Sequence, residues 1–145
     1  MEVGAALIAR VGTITCAIPI EHVVETMRPL PIAPLGEVPA FVRGLAIVRG
    51  SPTLVIDAAQ LLGVPAGGAT RFVIVRAAGE RGIALSVDAV VDVRVFAAGD
   101  LAALPPLVHA DAIVQIGAAD AGLVVVLEAA RAVPGDVWAS AEASR

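Results

Sequence analysis

The sequence predicts an all-β protein built from two small barrels, and three observations support this fold class. Apolar residues alternate with polar or small residues over short runs, which is the pattern of half-buried strands. The 14 Gly and 10 Pro residues separate these runs as turns. The chain also repeats itself, because residues 18–25 resemble residues 85–92 and residues 54–60 resemble residues 125–131. Two copies of one strand-rich unit therefore form a pseudo-symmetric pair of barrels with short helical turns.

The repeat and the turn residues set the expected element order. A flexible linker at residues 64–69 is expected to divide the two units, and residues 134–145 are expected to form a mobile tail anchored through Trp138. Short helices are expected at residues 58–62 and 128–131. The strands are expected at residues 7–11, 14–18, 24–30, 42–48, 53–56, 72–76, 83–87, 90–96, 112–116 and 123–127.

Composition excludes several function classes. All ten basic residues are Arg, so a Walker A lysine, a Schiff-base lysine and a Ser-Lys dyad are absent. One Cys and two His cannot build a zinc finger, and no metal or cofactor is expected. A net charge of −4 without a basic cluster argues against nucleic acid as the main partner.

The hydropathy pattern gives no candidate for a membrane span. The longest uncharged stretch, residues 58–70, contains a proline and several glycines and is shorter than the roughly 20 apolar residues that a helix needs to cross a bilayer. The acidic N-terminus shows no signal peptide. Cys16 lies in an alternating apolar run and is expected in the core, which fits a reducing compartment. A cytoplasmic location is expected.

Several acidic residues follow apolar strands and are expected to be structural. Asp57 and Glu128 stand at the starts of the two short helices, and Asp88 follows a strand, so each can accept hydrogen bonds from free backbone N–H groups. Glu25 differs because it stands in the middle of a strand, where no cap is needed. A solvated strand face and a binding role both remain open for Glu25.

Arg49 occupies the tip of a hairpin inside an otherwise apolar run, residues 45–50. A guanidinium held there by two strands can bind a partner carboxylate through two parallel hydrogen bonds. The alternative interpretation is an ordinary solvated turn residue.

The residues that an enzyme or a metal site would need are present but poorly arranged. Ser51 and Ser86 are the candidate nucleophiles, with His22 and His109 as bases, yet no G-x-S-x-G elbow surrounds either serine. His22, with Glu21 and Glu25 beside it, offers metal donors at loose spacing, and the second repeat has Ala in place of the histidine. No catalytic residue and no metal ligand is expected.

Three segments, in order, resemble the CheW-like family of chemotaxis coupling proteins. They are residues 20–25 with the proline-rich stretch 29–39, residues 41–50 with 54–57, and residues 82–90, which read GIALSVDAV. The resemblance covers residues 5–133. It implies a CheW-like fold of two five-stranded SH3-like barrels, so that residues 1–133 form one domain with subdomains at about 1–66 and 67–133.

The resemblance also implies a function. Members of the family are non-enzymatic adaptors that connect the cytoplasmic tips of methyl-accepting chemoreceptors to the regulatory domain of a CheA-type histidine kinase, at membrane-associated receptor arrays. Arg49 and Glu25 match family positions near the receptor-binding surface. Phe72 and Val87 are grouped with these receptor-binding residues, because they would add apolar lining where the barrels meet. Ile47 stands where the family motif has asparagine, which leaves the particular receptor and kinase open. The sequence also leaves open whether the output is flagellar, pilus-based or transcriptional.

Two other functions compete with the adaptor. One is a small serine hydrolase that uses Ser51 or Ser86, which the missing nucleophile elbow disfavours. The other is an RNA- or ribosome-binding SH3-like barrel, which the absence of Lys and the negative charge disfavour.

Overall fold

The structure is a computed structural model that describes residues 4–65, 67–76, 82–97, 99–103, 113–119, 122–128, 131 and 133–143. Within these residues the chain forms eleven strands, a 3₁₀ turn at Ile20–His22 and two helices. The helices are α1 (Ala58–Leu62) and α2 (Gly135–Ala143), and neither is long and apolar enough to cross a membrane. The strands are β1 (Ala5–Val11), β2 (Ile14–Pro19), β3 (Val23–Met27), β4 (Val42–Val48), β5 (Ser51–Asp57), β6 (Arg71–Arg76), β7 (Gly82–Val87), β8 (Ala89–Val95), β9 (Leu101–Ala103), β10 (Ile113–Ala119) and β11 (Gly122–Leu127).

These strands form two sheets, and the all-β fold class is confirmed. Sheet A has the order β8-β1-β2-β11-β10-β9, and sheet B has the order β3-β6-β7-β5-β4. Each sheet takes strands from both halves of the chain, so the sheets do not separate at residues 66 and 67. The physical reason is that the hairpin of one half is inserted between strands of the other half, through parallel pairing of β2 with β11 and of β5 with β7.

The strand orders of the two sheets show the duplication that the sequence repeat predicts. Five strands of sheet A, β8-β1-β2-β11-β10, occupy the same relative places as β3-β6-β7-β5-β4 in sheet B. The third strand is β2 in one sheet and β7 in the other, and these two strands contain the repeat positions Ile18 and Leu85. The β9 strand, which the sequence pattern did not predict, adds a sixth strand to sheet A beside β10.

Three apolar clusters account for the high hydrophobic content. Because side chains alternate across a strand, the central strands bury one face within their own sheet and the other face against the second sheet. The cluster inside sheet A includes Ile8 and Val126, and the cluster inside sheet B includes Phe72 and Val55. The largest cluster draws on both sheets and lies where they pack together. Its fully buried members from the two sheets include Ala9, Cys16, Leu54, Ile56, Val73, Ile83, Leu85, Val87 and Leu127.

Asp88 connects the two sheets at the turn between β1 and β2. Its Oδ2 accepts a hydrogen bond from the Gly12 N–H at 2.9 Å, and its own N–H donates to the Arg10 carbonyl at 2.9 Å. The Thr70 hydroxyl donates to the Asp88 carbonyl at 2.5 Å. Gly67 packs so closely on the Asp88 carboxylate that a Cβ at this position would collide with it. The acid expected to cap a local turn thus holds a turn that is 76 residues distant in sequence.

Residues 135–143 of the expected tail form helix α2, which packs against the rest of the protein. Val137 and Ala141, one helical turn apart, are buried in the cluster shared by the two sheets, and Trp138 packs against that cluster. The Ala-rich composition of this segment favours a helix, and a short apolar stripe is enough to attach it. Trp138 therefore contributes to the anchor without being its only residue.

Ser86 gives a direct test of the packing inside sheet B. Its hydroxyl oxygen is buried and has no hydrogen-bond partner among the described residues, whereas the buried Thr53 hydroxyl donates to the Ser51 carbonyl at 3.1 Å. A buried polar group without a partner keeps its full desolvation cost. We expect Ser86→Ala to raise the free energy of unfolding by about 1 kcal/mol, measured by urea denaturation.

Thr53→Val is the matched control, because it removes a buried hydroxyl that has a partner. We expect this variant to lower the free energy of unfolding by about 1 kcal/mol. A loss of stability in Ser86→Ala would contradict the burial of an unpartnered hydroxyl.

Candidate functional site

The candidate site lies where the two edges of sheet B approach each other. Strands β3 and β4 are the opposite edge strands of this sheet, and no ladder pairs them among the described residues. Arg49, in the turn after β4, reaches Glu25 in the middle of β3. Its Nε donates to Glu25 Oε2 at 2.6 Å and its Nη2 donates to Oε1 at 2.7 Å. This bidentate ion pair bridges the two edges through side chains alone.

The turn between β4 and β5 sets the position of Arg49. Val48 and Ser51 pair across the hairpin, which leaves a two-residue loop. The φ angles of its residues are 49° at Arg49 and 80° at Gly50. Positive φ at both central residues is the geometry of a type I′ turn, which matches the twist of the flanking strands. Glycine is the ordinary residue for this conformation, whereas arginine adopts it rarely.

The electrostatics of the pair keep both groups charged. The hydrogen bonds from Arg49, followed by its positive charge, lower the pKa of Glu25 below its ordinary value of 4.5, while burial acts in the opposite direction. The hydrogen bonds to Glu25 raise the pKa of Arg49 further above its ordinary value. The carboxylate thus balances the positive charge of the guanidinium and fixes the plane in which the guanidinium lies.

The outer part of the guanidinium stays available to a partner. The Arg49 side chain is 75% exposed, whereas the Glu25 side chain is 23% exposed. Nε and Nη2 are taken by Glu25, and Nη1 makes no hydrogen bond to any residue that the structure describes. Arg49 therefore presents unused N–H donors in a fixed orientation, which suits a carboxylate or carbonyl acceptor on another molecule.

Exposed apolar residues accompany the ion pair on the same strands. Ile47, two residues before Arg49, is 61% exposed, and Val24, next to Glu25, is 50% exposed. The neighbours of Ile47, Ala46 and Val48, point into the cluster inside sheet B. Ile47, at the position where the family motif has asparagine, thus adds exposed apolar surface two residues before Arg49. The departure from the motif is visible in the sequence, but the exposure of Ile47 is not.

Phe72 and Val87, expected among the receptor-binding residues, are not at a surface, and this expectation is corrected. Both are completely buried. Phe72 belongs to the cluster inside sheet B, and Val87 to the cluster where the sheets pack together. Both lie on central strands whose two faces are covered, so neither can contact a partner in this conformation. Only Val87 lies where the two sheets meet.

Asp57 and Glu128 were the acids predicted to cap the two short helices, and the structure shows the cap at Asp57. Asp57 Oδ1 accepts hydrogen bonds from the N–H groups of Ala59 at 3.0 Å and Gln60 at 3.2 Å, at the start of α1. Helix α1 ends at Gly63, which adopts the left-handed conformation. Glu128 follows β11, but residues 129 and 130 of its expected helix lie outside the described residues.

The candidate hydrolase and metal residues do not come together in the described residues. Ser86 is buried, Ser51 is exposed at the start of β5, and no hydrogen bond joins either hydroxyl to an imidazole there. His109 lies outside the described part of the chain. No group of three or more His, Cys, Asp or Glu residues in the described part could hold a metal ion. Burial raises the pKa of the Cys16 thiol to about 12, so this cysteine is a core residue without thiolate character.

The chain is thus a small β protein of two sheets. Its candidate site is an exposed ion pair with exposed apolar residues nearby in sequence, which is typical of a binding module. The family model described as CheW-like domain matches residues 5–134. The chain therefore belongs to the CheW-like domain family.

Comparison with solved structures supports the same fold. The scaffolding protein TtCheW from Thermoanaerobacter tengcongensis matches with a TM-score of 0.78 at 22% sequence identity. The match covers 88% of this chain and 90% of that chain. No curated protein matches the chain.

The lowered pKa of Glu25 predicts a pH-dependent contribution of the ion pair to stability. Because the pKa in the folded state lies below the ordinary value of 4.5, the contribution is fully present above that value and is lost as the pH falls through the folded-state pKa. We expect Glu25→Gln to lower the melting temperature at neutral pH. This difference should disappear in thermal melts at about pH 2.

Glu37→Gln is the matched control, because Glu37 is an exposed acid that makes no ion pair with any described residue. We expect this variant to melt like the unmodified protein at both pH values. A Glu25→Gln effect that is the same at neutral and acidic pH would contradict the ion pair as its cause.

Proposed function

We propose that this protein is a non-enzymatic adaptor that couples the cytoplasmic tips of chemoreceptors to a CheA-type histidine kinase in the cytoplasm. Membership in the CheW-like domain family supports a scaffold role in chemotaxis signalling. The exposed Arg49 side chain is the observation that supports coupling to a receptor. Glu25 holds this side chain by two hydrogen bonds, and the Nη1 group of Arg49 takes no part in them.

Binding at this site requires no covalent chemistry. Glu25 orients the guanidinium, so little conformational entropy is lost when a receptor carboxylate or carbonyl accepts from Nη1. Ile47 and Val24, which are exposed and close in sequence to Arg49 and Glu25, offer apolar contact area to the same partner. A charged contact together with apolar contact area gives both orientation and affinity, which is what a receptor-binding surface needs.

The kinase acts through a different part of the adaptor in this proposal. The regulatory domain of the kinase contacts the end of one barrel, away from the β4–β5 turn. The adaptor then controls the kinase by fixing its geometry relative to the receptor. Binding of the two partners is therefore separable by mutation, and this separation distinguishes a coupling protein from a module with a single partner.

Mutation of Arg49 tests the proposal. We expect Arg49→Ala to weaken binding of a receptor-tip fragment about 10- to 100-fold in calorimetry, as the loss of a charge-assisted hydrogen bond would. Arg49→Lys should restore only part of the affinity, because an ammonium group cannot offer two parallel N–H donors. Affinity for the regulatory domain of the kinase should stay within about twofold.

Arg43→Ala is the matched control, since Arg43 is an exposed arginine on β4 with no ion pair to a described residue. We expect this variant to bind both partners like the unmodified protein. Unchanged receptor affinity in Arg49→Ala would refute the proposed receptor site. Equal losses of receptor and kinase binding, together with a lower melting temperature, would make Arg49 a structural residue.

A further inference from the structure

The edge strand β8 carries a row of exposed valines that the proposed receptor site does not use. Val91, Val93 and Val95 are 47%, 55% and 78% exposed. Most other valines of the described sheets are buried or half-buried, and β3, the equivalent edge strand of sheet B, has only Val24 exposed to this degree. An exposed apolar row on a strand is typical of a surface that binds another chain.

One side of β8 also has no strand partner among the described residues. In the described residues β8 pairs only with β1, as the last strand of sheet A. A strand at the edge of a sheet presents backbone N–H and C=O groups that can pair with another strand. Many proteins block such an edge with charges of one sign, which repel a second copy. The charges on β8 do not follow this pattern.

The two charged residues of β8 are of opposite sign and flank Val93. The side chains of Asp92 and Arg94 lie on one face of the strand, with Arg94 Nε 3.4 Å from Asp92 Oδ1. Their side chains are 49% and 30% exposed, respectively. If two copies of β8 run antiparallel with Val93 opposite Val93, Asp92 of each copy lies opposite Arg94 of the other. Opposite charges in directly facing positions stabilise a strand pair, so the sequence of β8 is complementary to itself.

We propose that β8 is a self-association edge, through which two copies of this chain pair antiparallel about a two-fold axis at Val93. The occupant is a second copy because the charge order Asp92–Val93–Arg94 complements itself in this register. Such an interface is isologous and closes at a dimer. This inference is independent of the proposed receptor site, which lies on sheet B.

The same geometry limits the strength of the dimer. Asp92 pairs with Ile8 and Val90 pairs with the next residue of β1, Ala9. Val91 between them has no partner on β1 and is therefore the extra residue of a β-bulge. The regular part of β8 beyond the bulge is therefore short, and the interface is small. Small interfaces are typical of weak and transient association. We expect dimerisation to depend on concentration within the range of about 1 μM to 1 mM.

Analytical ultracentrifugation of the full chain tests this inference. The unmodified protein should show a monomer–dimer equilibrium, and Val93→Glu should weaken it at least about tenfold. Asp92→Arg and Arg94→Asp should each remain monomeric alone, because facing residues then carry like charges. An equimolar mixture of these two variants should form a dimer, since each Arg then faces an Asp.

Val24→Glu and Arg43→Asp are the matched controls on the edge strands of sheet B, and both should associate like the unmodified protein. A monomer over the whole concentration range, or undiminished association of Val93→Glu, would overturn the proposal. Failure of the mixed charge variants to associate would overturn the register about Val93. Receptor affinity of Arg49→Ala is measured separately, so failure of either proposal leaves the other standing.

Discussion

Burial of both faces of the central strands is the constraint on which the rest of this structure depends. The strands β2, β5, β6 and β7 pack one face within their own sheet and the other face against the second sheet. Such strands have no solvated side, so nearly continuous apolar runs replace the usual alternation. This explains a chain that is 58% hydrophobic without a membrane-spanning helix in its described part. The exchange of hairpins between the two halves produces this arrangement, since it ties each sheet to both copies of the repeat.

The same constraint decides where function can lie. The exposed charged side chains lie in turns and loops, at the ends of strands and on edge strands, and the candidate site combines a turn with an edge strand. Arg49 comes from a turn and Glu25 from an edge strand of the same sheet. The repeat keeps the acid, because Asp92 on β8 corresponds to Glu25 on β3. It does not keep the arginine, because the residue 71 positions after Arg49 is an aspartate. Two sheets of equivalent topology thus carry different surfaces, an oriented arginine on one and a valine row on the other.

Much of the fold could be predicted from the sequence, because strand alternation, glycine and proline turns and the internal repeat are local signals. The strand exchange could not, since pairing of β2 with β11 joins segments that are more than 100 residues apart and leaves no local signature. Helix α2 was missed for a different reason. Among its described side chains the apolar stripe consists of Val137, Trp138 and Ala141, which is too short for a periodic pattern to be recognised.

The candidate site could likewise be predicted only in part. Arg49 and Glu25 could each be identified as charged residues in apolar surroundings, and the family resemblance selected both. Their contact with each other could not be inferred, because it depends on the two edges of sheet B approaching each other. Phe72 and Val87 were grouped with the receptor-binding residues, as lining where the barrels meet, from the resemblance alone, and their strands are central in sheet B. Burial depends on the position of a strand in its sheet, which the sequence of that strand does not reveal.

The most direct test of the central claim is the receptor-tip affinity of the charge-swapped double variant Glu25→Arg/Arg49→Glu, measured by calorimetry alongside its thermal melt. We expect the double variant to melt closer to the unmodified protein than Arg49→Glu alone does, because opposite charges again bridge the edges of sheet B. We also expect receptor binding to stay lost, because the exposed end of the bridge is now a carboxylate. Receptor affinity equal to that of the unmodified protein would contradict the claim that an arginine oriented by Glu25 forms the binding contact.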